Sequence, residues 1–125
     1  MSVSIDTTDG LVFLRIASPI APRDGTAWAD EVTRIESERR APVHIVAELE
    51  AAVVIPLDIF LCGCRKALDV RAKIASLAFV VHSPAERTLV RAAAAVIAPM
   101  YPVAYFEDVA EARAWTLEHL RAKAS

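Results

Sequence analysis

Side chains able to do chemistry are sparse in this chain, and they gather where hydrophobic runs end. His82 and Ser83 follow the apolar run from 75 to 81, Glu48 and Glu50 follow the run from 43 to 47, and Glu107 follows the run from 103 to 106. Imidazole titrates near neutrality and a carboxylate can orient it, so His82 with Glu48 or Glu107 would make a general acid-base pair or a weak metal site. One expectation is thus a crevice of Glu48, Glu50, His82, Ser83 and Glu107 in a hydrolytic or metal-dependent enzyme. Against it stands a structural reading, because loops that follow strands collect polar and capping residues in any case. The chain has no nucleophile elbow, no HExxH, no glycine-rich phosphate loop and three glycines in all. No catalytic, cofactor-binding or metal-ligating residue is therefore assigned, and the expected protein is not an enzyme.

The two cysteines, Cys62 and Cys64, flank Gly63. On a helix, residues two apart point about 200° from each other, so the thiols would not converge on one ion. Their spacing favours neither a disulfide nor a complete zinc site, and they read as reduced, buried thiols. Gly63 is costlier to explain, since an interior helical glycine loses about 1 kcal/mol against alanine. That cost is tolerable where a backbone or a ligand packs closely. His44 opens an apolar run and His119 shares a helical face with Trp115, which suits structural roles for both. Trp28, Tyr105, Phe106 and Trp115 are assigned to the core, because base-stacking platforms need a basic groove beside them. With a formal net charge of −2 and its cations dispersed, the chain excludes nucleic acid as an expected partner.

The elements that must position these residues are punctuated by proline and glycine. Residues 3 to 8 and 11 to 17 are β-type runs divided by Asp9-Gly10, a dipeptide suited to a tight antiparallel hairpin. From about 24 to 40, Trp28, Val32 and Ile35 recur at helical spacing, with Asp24 or Thr26 available as a cap and Pro42 as the stop. Two nearly continuous apolar runs, 43 to 47 and 75 to 81, read as strands buried on both faces. A helix is expected between them from about 55 to 72, and another from Pro84 and Glu86 onward. A last strand covers 103 to 106, and Asp108 caps the final helix. The order ββαβαβαβα calls for right-handed crossovers and a mixed, mostly parallel five-stranded α/β sheet with an antiparallel N-terminal hairpin and about four helices. At 125 residues this is one domain, 1 to 125.

This order, together with the tail, resembles the STAS domain superfamily. Lys73 to Val81 leads through a helix to Tyr105-Phe106-Glu107-Asp108-Val109-Ala110-Glu111-Ala112-Arg113-Ala114-Trp115. The stretch is similar to the SpoIIAA-like branch, whose members end with a strand, an aromatic-acidic turn and a helix of E-A-x-x-W type. The resemblance implies a regulatory, protein-binding module. In phosphorylatable members the strand after the first helix leads into a D-S-S-G-L type turn carrying the phosphate acceptor; here Pro56-Leu57-Asp58-Ile59 stands at that place, and no serine or threonine lies between Glu48 and Gly63. Phosphorylation there is excluded in its usual form. Asp58 would present a fixed negative charge at the acceptor position, or simply complement the helix dipole.

The stretch from 55 to 72 departs most from a plain surface helix. At about 100° per residue its apolar side chains surround the first half of the helix instead of lining one side. A binding surface of Leu57, Asp58, Phe60, Leu61 and Cys64 is therefore expected, covered by a second copy of the chain, a protein partner, or a small apolar ligand or lipid. Neighbouring helices could instead cover it. Asp58, Arg65 and Lys66 interrupt the longest apolar stretch well short of the roughly eighteen residues of a membrane span, and the first residues lack the pattern of a secretory signal. The expectation is a cytoplasmic, non-enzymatic binding module.

Overall fold

A computed structural model of the chain describes residues 11 to 97 and 99 to 124. Within them, strand β1 (Leu11–Ile16) is followed by helix α1 (Asp24–Arg39), β2 (Val43–Leu49), α2 (Leu57–Val70), a 3-10 turn (Arg71–Lys73), β3 (Ile74–Val80), α3 (Pro84–Ile97), β4 (Val103–Phe106) and α4 (Val109–Ala124). The strands form one sheet in the order β1-β2-β3-β4, and every neighbouring pair is parallel. The domain is α/β with four helices, as the periodicity implies. Among the described residues the sheet has four strands and is wholly parallel; the expected strand over residues 3 to 8, and with it the antiparallel hairpin, lies outside them.

Strand order equals chain order, so each crossover moves the same way along the sheet. Crossovers of one hand then place α1, α2 and α3 on a single face. That face is built by alternate residues, Val12 and Leu14 on β1, Ile45 and Ala47 on β2, and Leu77 and Phe79 on β3, packed against Val32 and Ile35 of α1. Among the described residues helix α4 alone covers the opposite face, where Ala112 packs with Leu11, Val46, Ala78 and Val80. Two polar residues buried on that side, His44 and Ser76, share a hydrogen bond of 2.7 Å between Nδ1 and Oγ. The His119 ring lies tilted against the Trp115 ring, 4.2 Å between centroids, with its Nδ1 3.0 Å from the Trp115 carbonyl oxygen. Both histidines thus hold structural positions. No helix among the described residues is long and apolar enough to cross a membrane.

Local chemistry explains most boundaries. Arg40 adopts a left-handed conformation (φ 55°) that ends α1 before Pro42. The Asp108 carboxylate accepts the Ala110 amide at 2.9 Å and caps α4. The start of α1 differs from expectation: neither Asp24 nor Thr26 caps a helical amide. Asp24 instead turns back to accept the Ala21 amide at 2.7 Å, while the Thr26 hydroxyl donates to the Arg23 carbonyl.

Candidate functional site

Three helices laid over one sheet face do not close it completely. Between them and the sheet lies a cavity of about 170 Å³ whose walls are almost entirely apolar. Leu49 and Ile16 mark the end nearest the strand carboxyl termini, and Ile74 and Tyr101 mark the other. Phe60, Cys64 and Ala67 of α2 and Ala93 and Ile97 of α3 form its outer wall, with Trp28 of α1 packed against them.

This arrangement divides the five residues expected to form one surface on α2. Phe60 and Cys64 turn inward and line the cavity, Cys64 being buried. Leu57 and Leu61 are 71% and 55% exposed, and Asp58 is exposed beside them at the first turn. The all-round apolar character of the helix therefore has two causes. One part meets α1 and α3, and the other remains on the outside.

Gly63 lines the same cavity, and a Cβ there would meet nothing nearer than the Trp28 indole nitrogen at 4.0 Å. No backbone approaches closely enough to require glycine. Its missing side chain enlarges the cavity and does nothing else visible. Gly63→Ala should accordingly stabilise the fold by up to about 1 kcal/mol through helix propensity, raising the melting temperature by roughly 4 °C. Calorimetry on the single variant checks this. Gly25 behaves differently, because a Cβ would lie 3.3 Å from the Ile59 carbonyl oxygen and 3.4 Å from Cys62, so it permits the close crossing of α1 and α2.

Among the described residues three titratable side chains line the cavity. Burial pushes the Cys64 thiol and the Tyr101 phenol above their usual ranges, so both stay neutral. The Asp24 carboxyl is held below its usual 3.8, chiefly by the Ala21 amide that it accepts, with the charge of Arg23 a smaller contribution. A carboxyl lowered on folding stabilises the native state above its unfolded value, and that contribution is lost as pH falls through the folded one. Asp24→Asn should thus melt below the parent at neutral pH, with the two curves converging as the pH drops below 3.8. A pH series of thermal melts reads this directly.

The crevice at the strand carboxyl ends is assembled only in part. His82 Nε2 lies 3.3 Å from Glu48 Oε2, so those two do meet, with both side chains partly exposed. Glu50 accepts the Ser18 amide at 3.2 Å, Ser83 Oγ accepts the Glu86 amide at 3.2 Å, and Glu107 reaches Arg87 at 3.9 Å across an exposed surface. Each of these three is thus engaged away from the imidazole. No group of three or more His, Cys, Asp or Glu among the described residues could hold a metal ion.

The buried anchor at this end is Glu86, which the sequence places only as an acid in the first turn of a helix. Its carboxylate accepts the amides of His82 (3.0 Å) and Ala52 (3.2 Å), joining the start of α3 to the loop after β2. The signal that marks it is Ser83-x-x-Glu86 ahead of an apolar helical stripe, the spacing of a capping box. Comparisons with protein-family models, curated proteins and solved structures find no match to this chain.

Proposed function

We propose that this protein acts by binding a small apolar molecule between its sheet and helices α1 to α3, without chemistry of its own. The cavity lined by Gly63, Cys64 and Ala67 carries this reading. The space is partly open to solvent, so its apolar walls stay in contact with water, and a ligand that covered them would gain about 25 cal/mol for each Å² it buries. The glycine in the cavity wall points the same way, because it enlarges the space at the expense of helix stability. Native mass spectrometry of protein taken from cells, followed by melting with a panel of fatty acids and small ring compounds, tests the proposal. A bound mass, or a melting temperature that rises with ligand concentration, supports it. Bare protein masses with no shift across the panel would overturn it.

A second reading, the protein-binding module that the STAS resemblance implies, draws on the exposure of Leu57 and Leu61 on α2. In this reading a second copy of the chain covers that stripe. Sedimentation at the 13.6 kDa monomer mass over a wide concentration range removes it. Either function sits in a STAS-like, SpoIIAA-like domain. Both also assume a cytoplasmic setting, in which Cys62 and Cys64 remain reduced.

A further inference from the structure

The few polar groups around the cavity narrow what it can hold, an inference that rests on the apolar-ligand reading above. Size sets the first limit. An engineered cavity of about 150 Å³ takes up benzene, so the present one, at about 170 Å³, suits a single ring with a small substituent, about six to nine non-hydrogen atoms. Charge sets the second. Among the described residues no lysine, arginine or histidine lines the space, and the anionic side chain at its edge, Asp24, is already engaged by the Ala21 amide. A carboxylate carried inside would lose its hydration without gaining a cation.

Tyr101 supplies the third limit. It stands just before β4, at the end of the cavity opposite Asp24, which begins the helix leaving the carboxyl end of β1. The residue is nine-tenths buried, and among the described residues its hydroxyl has no hydrogen-bond partner. Among the described residues every fully sealed side-chain nitrogen or oxygen does have one, so the phenol oxygen keeps some exposure. Because Tyr101 also lines the cavity, a ligand acceptor beside it would give this hydroxyl a partner. We propose that the cavity selects an uncharged, one-ring ligand bearing a single hydrogen-bond acceptor, which the Tyr101 hydroxyl recognises while the remaining walls hold the ring.

The test compares four probes of similar size, isopropylbenzene, acetophenone, benzoate and benzylamine, on the parent protein and on Tyr101→Phe at pH 7 by titration calorimetry. Circular dichroism establishes that the variant is folded. Loss of one neutral hydrogen bond should weaken acetophenone about three- to tenfold and leave isopropylbenzene unchanged. Benzoate and benzylamine should not bind either protein measurably. If Tyr101→Phe changes acetophenone and isopropylbenzene by the same factor, the phenol is not the donor and the inference fails while the cavity reading stands. Charged probes that bind as tightly as acetophenone would also overturn it. If neither neutral ring binds either protein, the apolar-ligand reading itself falls.

Discussion

Replacing Ala67 by leucine should raise the melting temperature of ligand-free, refolded protein by roughly 8 °C and abolish binding of small apolar probes. Ala67 is buried on α2, where it packs with Ala93 and Ile97 of α3 in the outer wall of the cavity. Three added carbons that enter unfilled apolar space contribute about 0.8 kcal/mol each, or about 2 kcal/mol together. For a domain of this size that amounts to several degrees of melting temperature. The sign is what discriminates. Were the region already packed to ordinary interior density, the same leucine would force neighbouring side chains off their rotamers and cost about 1 to 3 kcal/mol. A variant that melts lower than its parent would therefore remove the cavity, and with it the proposed function. One that melts higher and still binds isopropylbenzene would place the ligand elsewhere.

How well the chain could be read before its structure depended on whether the deciding forces are local. Proline acts on its own φ and on the residue before it, so Pro42, Pro84 and Pro102 mark ends that the structure reproduces. The same effect explains a misplaced boundary. Helix α2 begins at Leu57 and not at 55, because Pro56 is extended (ψ 140°) and serves as the N-cap, and it ends at Val70 because residues 71 to 73 tighten into a 3-10 turn. Apolar residues around all sides of α2 were equally legible. What covers them was not, since that depends on where α1 and α3 lie, a matter of strand order and not of spacing along the helix. For this reason Phe60 and Cys64 could not be separated from Leu57 and Leu61 on periodicity alone. A cavity is harder still to foresee, being atoms that no residue supplies. Its one local trace was Gly63, a glycine where a helix gains nothing from it. The strand-end residues show the opposite case: their positions were foreseeable from where each strand stops, yet their pairing was not, and the residue that organises them, Glu86, was hidden inside a capping pattern.

That organising role gives Glu86→Ala the largest expected loss of stability, about 3 kcal/mol. The carboxylate is buried and accepts two backbone amides from different segments, those of Ala52 and His82. Hydrogen bonds to a charged group contribute about 1.5 to 3 kcal/mol each, and alanine would leave both amides without this acceptor. A further cost comes from the loop itself. Ala52 holds a positive φ of 59°, a conformation that costs a residue bearing a Cβ about 1 to 2 kcal/mol, and the amide bound by Glu86 is its own. Once the carboxylate is removed, the turn closed by the Val53 amide on the Glu50 carbonyl has less to hold it in that conformation. Glu86→Gln keeps one acceptor oxygen and should fall between alanine and the parent. Denaturant unfolding measures the loss, and amide exchange locates it: the Ala52 and His82 amides should lose protection in the alanine variant well before the β2 and β3 amides do. Uniform loss across the sheet would show that Glu86 supports the domain as a whole instead of pinning this loop. Ile55, on the same connection, lines the cavity, so release of the loop should also weaken binding of isopropylbenzene although Glu86 contributes nothing to the cavity wall.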